Sequence, residues 1–168
     1  MSYSMPSAPV CVHPADNAPY LQHVRELFVE YEHSLGFPLC FQNFEKELEN
    51  LPGEYAPPNG ALFAAVHQSE VVGCVALTQI DDATCEMKRL YVRPAGRGKG
   101  VGTMLVKTLI ETALRIGYRS MKLDTVPSMK EAIRLYVSLG FRPTAPYRHN
   151  PIPGALFMEL DLQSFPKK

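Results

Sequence analysis

The sequence predicts a mixed α/β fold, and three observations carry that prediction. Short apolar runs at 61–67, 71–80 and 84–92 have the length and residue types of strands. Longer stretches place apolar residues every three or four positions, as at Val101, Met104, Leu105, Thr108, Leu109, Ala113 and Ile116, which is helical spacing. From residue 84 onward the two patterns alternate, and the turn Arg97-Gly98-Lys99-Gly100-Val101-Gly102-Thr103 joins a strand to a helix. No segment recurs along the chain.

In order, residues 1–8 are expected to form a flexible terminus and 9–13 a first strand. Residues 16–35 read as a helix with Leu21, Val24, Leu27, Phe28 and Tyr31 on one face and Asp16 as N-cap. Gly36 and Pro38 end it. A second helix covers 43–51, stops at Pro52-Gly53, and leads into the loop Pro57-Pro58-Asn59-Gly60. Strands 61–67 and 71–80 flank the hairpin connection Gln68-Ser69-Glu70, and Asp81-Asp82 turns the chain into strand 84–92. Pro94, which has no N–H, stops pairing there. The glycine turn, the helix from 101 to 116, a strand at 120–124 and a helix at 128–139 follow, the last closed by Gly140. The strand at 155–162 alternates Leu156, Met158, Leu160 and Leu162 against Phe157, Glu159 and Asp161. With 168 residues, 46% of them hydrophobic, the chain is expected to form one domain over 1–168.

Composition excludes several classes. Seventeen Lys and Arg balance seventeen Asp and Glu, which argues against a general nucleic-acid binder. No apolar run is long enough to span a bilayer, so a soluble, cytoplasmic protein without a membrane partner is expected. Cys11, Cys40, Cys74 and Cys85 form no C-x-x-C pair and no cluster with His, so buried thiols rather than a metal site are expected.

The glycine turn is the chemically informative segment. Glycines let a ligand approach the backbone, and the free N–H groups of a first helical turn favour an anion. Between Glu86 and Glu111 the chain carries Lys88, Arg89, Arg93, Arg97, Lys99 and Lys107 and no acidic residue, which adds positive potential. A Walker P-loop is excluded because Gly100, not Ser or Thr, follows Lys99, and a dinucleotide fingerprint fits poorly because the glycines are evenly spaced. What remains is R-x-x-G-x-G, made by Arg97, Gly100 and Gly102. It resembles the acyl-CoA pyrophosphate loop of the GNAT superfamily of N-acetyltransferases. The string Ala132-Ile133-Arg134-Leu135-Tyr136-Val137-Ser138-Leu139-Gly140-Phe141 resembles a second signature of the same superfamily, A-x-x-L-Y-x-x-x-G-F. The two signatures stand in the right order, within a resemblance covering roughly 61–162. Where the superfamily often has Asn before the second signature, this chain has Met129. The stretch 31–157 looks most like small bacterial members of the group.

The resemblance implies a GNAT-like fold, with a central, mostly antiparallel sheet splayed at the cofactor site and flanked by helices. It also implies acyl transfer from acetyl-CoA (coenzyme A) to an amine by direct attack in a ternary complex. In such folds the strand before the loop, here Leu90, Tyr91 and Val92, offers backbone groups to the pantetheine arm. Arg97, Gly98, Lys99, Gly100, Val101, Gly102 and Thr103 would hold the pyrophosphate. Tyr136 falls on the superfamily tyrosine that protonates the leaving thiolate, a task suited to a phenol whose ordinary pKa is about 10. Glu86 stands where some members place the base for the amine. Strand alternation would put Glu86, Lys88, Leu90 and Val92 on one face, while pairing of Glu86 with Lys88 or Arg89 is the competing reading.

The acceptor site is less defined by residue pattern. The polar end of the first helix, with Glu30 and Tyr31, and the aromatic loop 37–42 are candidates for its wall. So is the proline-rich loop 143–154, where Arg148 would bind a carboxylate and His149 would act as base or donor. A small-molecule amine such as an amino acid is the expected acceptor, and a homodimer is the assembly common in the superfamily. A protein N-terminus or lysine, a catalytically silent acyl-CoA sensor and a nucleotide-binding protein are the alternative readings.

Overall fold

The structure is a computed structural model that describes residues 8–39 and 43–166. Seven strands form one sheet in the order β1-β2-β3-β4-β5-β7-β6. They are β1 (Cys11–Pro14), β2 (Ala61–His67), β3 (Glu70–Gln79), β4 (Thr84–Val92), β5 (Ser120–Thr125), β6 (Arg142–Pro143) and β7 (Leu156–Asp161). Four helices flank it: α1 (Tyr20–Leu35), α2 (Phe44–Glu49), α3 (Val101–Ile116) and α4 (Lys130–Ser138). Every strand pair is antiparallel except β4 with β5. The mixed α/β architecture with a mostly antiparallel sheet is therefore the one expected.

Each face of the sheet buries its own core. On one side Leu105, Leu109 and Ile110 of α3 pack with Val75, Leu77, Met87 and Met121. On the other, Val24, Leu27 and Phe28 of α1 pack with Leu62, Ala64 and Ala76. The apolar stripe read from α1 is thus the buried one, but its start differs. Pro19 occupies the N-cap and no side chain caps the helix, so Asp16 does not serve that role. The hairpin between β2 and β3 turns on Gln68 and Ser69 alone, both at positive φ, while Glu70 already belongs to β3. Cys74 and Cys85 are buried as expected, with burial pushing the Cys85 thiol up to about 12. Cys11 is exposed, contrary to expectation, because it opens the edge strand β1. Cys40, Phe41, Gln42 and the terminal residues 1–7 lie outside the described residues.

Two irregularities in β4 shape everything that follows. First, β4 and β5 are paired only from Thr84 to Glu86, so the strands part and, among the described residues, the β5-side edge of β4 has no strand partner from Met87 to Val92. Second, Arg89 has φ 60°, and the register against β3 shifts between Cys74 and Ala76. Two β4 residues, Arg89 and Leu90, therefore oppose Val75, which is a β-bulge. The bulge breaks the alternation expected from sequence. Leu90 and Val92 turn toward the core under α3, whereas Tyr91 joins the core under α1. Glu86 and Lys88 consequently face the side opposite Leu90 and Val92, not the same side.

Candidate active site

The splay between β4 and β5 opens a cleft whose two ends meet at Leu90 and Met129. The first end is a cavity of ≈ 480 Å³ between the glycine loop and the start of α4, within the range of ligand pockets. Its walls include Leu90, Val92, Arg97, Gly98 and residues 100–103. Gly98 and Gly100 sit at φ 78° and 74°, in the left-handed region that favours glycine. Gly100 is the N-cap of α3, with no side-chain cap and no acidic residue in the first turn. The amides of that turn and the positive end of the helix dipole thus border the cavity with no acidic side chain of the turn beside them.

Two cofactor candidates stand apart from this wall. Tyr91 points the other way because of the bulge, and packs edge-on against Tyr31 at 6.2 Å. Lys99 donates its Nζ to the Ala95 carbonyl at 3.1 Å. Arg97 does line the cavity, but its Nε is held by the Val92 carbonyl at 3.2 Å. An extended diphosphate with a long amide-bearing arm fits this arrangement: backbone donors at the helix start, then an open strand edge at Leu90 and Val92.

The second end is a tighter cavity of ≈ 50 Å³ with Tyr31, Lys88, Asp124, Met129, Tyr136 and Asn150 in its wall. Tyr136, only 7% exposed, packs at 5.7 Å against Phe141, the phenylalanine of the same signature. Burial, then the charges of Tyr31 and Asp124, push its hydroxyl above the ordinary tyrosine range, so it stays protonated at neutral pH. Burial likewise raises the Tyr31 hydroxyl. Asp124, on β5, accepts a hydrogen bond from Asn150 Nδ2 at 3.1 Å.

Glu86 sits behind this cavity and outside its wall. Its side chain is fully buried and both oxygens are occupied, Oε2 by the Tyr147 hydroxyl at 2.7 Å and Oε1 by the Arg148 guanidinium. Burial raises its carboxyl above the usual range, against the opposing pull of Lys88, Arg148 and the Tyr147 hydrogen bond. Lys88 and Arg89, the partners named in the competing reading, are not the ones it takes. Arg89 instead makes a bidentate pair with Glu47 of α2, at 2.9 Å for each bond. Burial opposes the Arg89 charge, and the Glu47 carboxylate more than compensates.

Three acceptor candidates do not reach the wall of the inner cavity. Glu30 is bound to Arg93, whose Nε and Nη2 lie 2.8 and 2.7 Å from its Oε2, and it is absent from the cavity wall. His149 is exposed and lines neither cavity. Arg148 is committed to Glu86, so its fork is not presented to a ligand carboxylate. Tyr31 alone of that group reaches the cavity. The sequence reading missed Lys88 and Asp124 as acceptor-wall residues and Tyr147 as the partner of Glu86, while Asn150 lies on the late loop it named for that wall. The polar positions of β5 facing the splay were the available signal for Asp124.

A sheet splayed beside a glycine loop, with a protonated tyrosine at the inner end, defines an acyl-CoA-dependent acyltransferase architecture. Comparison with known proteins gives the family: residues 21–141 match the model of the acetyltransferase (GNAT) family, and the chain belongs to it. An N-acetyltransferase of Schizosaccharomyces pombe is 43% identical over 144 residues, covering 84% of this chain and 88% of that protein. The Escherichia coli N-acetyltransferase YjgM is 32% identical over 75% of this chain and 76% of its own length. The likeness therefore extends beyond bacterial members. The zebrafish N-acetylaspartate synthetase is 36% identical over 64% of this chain, but only 39% of that protein is covered. A GNAT acetyltransferase from Staphylococcus aureus superposes with a TM-score of 0.76 at 19% identity, covering 92% of this chain and 99% of that one. The acetyltransferase yncA of Salmonella typhimurium, solved with its cofactor acetyl-CoA, superposes with a TM-score of 0.65 at 23% identity over 92% and 95% of the two chains. The protein is thus an acetyltransferase of the GNAT family, whose acyl donor is acetyl-CoA. Among the described residues no helix is long and apolar enough to cross a membrane, and no cluster of His, Cys, Asp and Glu is arranged to hold a metal.

Proposed function

We propose that this protein acetylates the primary amine of a small molecule. The observation that carries the reading is the pair of cavities joined at Leu90 and Met129, large on the glycine-loop side and only ≈ 50 Å³ on the Tyr136 side. A small amine suits that space, whereas a protein N-terminus or lysine would require a groove open along its length. The name of the zebrafish relative, N-acetylaspartate synthetase, supports an amino-acid type of acceptor.

Acetyl-CoA, when bound, supplies the activated acyl group. The amides of 98–103 would hold its diphosphate, and the open edge of β4 at Leu90 and Val92 would pair with its amide arm. Tyr136 keeps its proton at neutral pH and donates it to the departing sulfur. Glu86, with both oxygens occupied, acts as the buried anchor of the loop that carries Tyr147 to Asn150. It sets the wall of the acceptor cavity instead of meeting the amine.

The test is release of free thiol from acetyl-CoA with purified protein and a panel of amino acids, polyamines and amino sugars, beside peptides with free N-termini and lysines. Turnover with a small amine and none with peptides is the expected result. Turnover confined to the peptides would overturn the reading.

A further inference from the structure

Lys88 lines both the acceptor cavity and the neighbouring cavity beside Glu47, and among the described residues its ammonium makes no side-chain hydrogen bond. Its side chain is 10% exposed, and the nearest carboxylate oxygen, of Glu47, is 3.9 Å from its Nζ, beyond hydrogen-bond distance. That Glu47 carboxylate is already spent on both arms of Arg89. Glu86, two residues earlier on β4, is likewise spent on Tyr147 and Arg148. The neighbouring cations are therefore hydrogen-bonded to carboxylates, whereas Lys88 has only its longer ion pair with Glu47. Burial and the positive charges of Arg89 and Arg148 lower its pKa, opposed by Glu86 and Glu47. A buried ammonium without a bonded anion is a costly arrangement that a ligand carboxylate would relieve.

Asp124 supplies the opposite charge in the same wall. It shares the wall of the inner cavity with Tyr31 and Tyr136. Asn150 occupies one of its oxygens and leaves the other without a side-chain partner among the described residues. A cavity with one unspent cation and one carboxylate matches a ligand that carries both charges.

We infer that the acceptor is an amino acid, its carboxylate bound by the Lys88 ammonium and its amino group received by Asp124 next to Tyr136. This deepens the proposed acetylation of a small amine and rests on it. Lys88, not Arg148, is then the residue that determines acceptor class. No covalent step is added: the amino group is held by the Asp124 carboxylate, loses one proton to solvent, and reacts as the neutral amine.

The experiment compares kcat/KM for each of the twenty common amino acids with that of its own carboxamide, in the wild type and in Lys88→Met and Lys88→Gln. For the preferred amino acid the wild type should favour the acid by about 10- to 100-fold, the span of one charge-assisted hydrogen bond. In both variants that ratio should fall to within about twofold of unity, with the loss in KM more than in kcat. Lys88→Arg should restore part of the preference. Coenzyme A affinity, measured by calorimetry on the same samples, reports whether each variant is folded. If Lys88→Met does not bind coenzyme A, Lys88→Gln and Lys88→Arg decide. A wild type that treats acid and carboxamide alike, or acetylates only amines without a carboxylate, overturns the inference while leaving acetylation of small amines intact. A preference that survives in the folded variants also overturns it. Failure of the wild type to release thiol with any small amine removes the underlying reading as well.

Discussion

The two ends of the cleft are made of different material. At the glycine-loop end the chain offers backbone: left-handed glycines at 98 and 100, uncapped amides at the start of α3, and the open edge of β4. At the inner end it offers side chains from many elements, Tyr31 from α1, Lys88 from β4, Asp124 from β5, Tyr136 from α4 and Asn150 from the late loop. Backbone recognition requires only local geometry and so suits a ligand common to a whole family. Side-chain recognition can change one residue at a time, and is where acceptor preference is written.

The comparison predicts different consequences for damage at each end. The largest effect is expected from Gly100→Val. A β-branched residue at φ 74° costs about 1–3 kcal/mol of backbone strain and distorts the loop, although a Cβ there meets no neighbouring atom. Coenzyme A affinity by calorimetry should fall by about 100-fold, because several amides lose their aim together. Unchanged affinity would break the claim that backbone does the binding. Tyr136→Phe should act on the other end, lowering kcat by about 10- to 100-fold with coenzyme A affinity held within about twofold. A fall in affinity without a fall in kcat would move Tyr136 to the binding half.

Smaller effects separate anchoring from recognition behind the inner cavity. Arg148→Ala leaves Glu86 buried with Tyr147 as its one remaining hydrogen-bond donor. It should cost about 1–3 kcal/mol of stability in denaturant melts, and acceptor KM should respond only through the shifted loop. A large rise in KM at unchanged stability would instead make Arg148 the carboxylate reader. The smallest effect is a pH dependence. Burial raises the Glu86 carboxyl in the folded state, so the folded protein binds more protons than the unfolded one between the ordinary carboxylate pKa and the raised value. Glu86 therefore contributes most below the ordinary value, and that contribution is lost as pH rises through the folded pKa. Relative to Glu86→Gln, the wild type should lose melting temperature as pH rises across that window. A relative gain would contradict the assignment of burial as the dominant influence.

Legibility in the sequence followed the same division. The loop, helix α3 and the ends of β4 could be read because glycine conformation, helical periodicity and the stop at Pro94 are local properties. The Tyr136 signature was read from its resemblance to a superfamily pattern, not from local geometry. Glu86 meets Arg148 across 62 residues and Arg89 meets Glu47 across 42, and no local pattern encodes either pair. The bulge was hidden as well. Arg89 adopts a positive φ that composition does not announce, since glycine or asparagine is the usual sign of such a site. One extra residue there reversed the facing of Glu86 and Lys88 relative to Leu90 and Val92, and with it the expected roles of two charged residues.

The most direct test of a cleft with a backbone end and a side-chain end is a residue-by-residue map of coenzyme A binding, from amide chemical shifts of labelled protein. The account predicts that the largest shifts fall on Leu90, Val92, Gly98 and residues 100–103, with little change at Glu30 or His149. Shifts centred on another surface, or none at saturating coenzyme A, would contradict it.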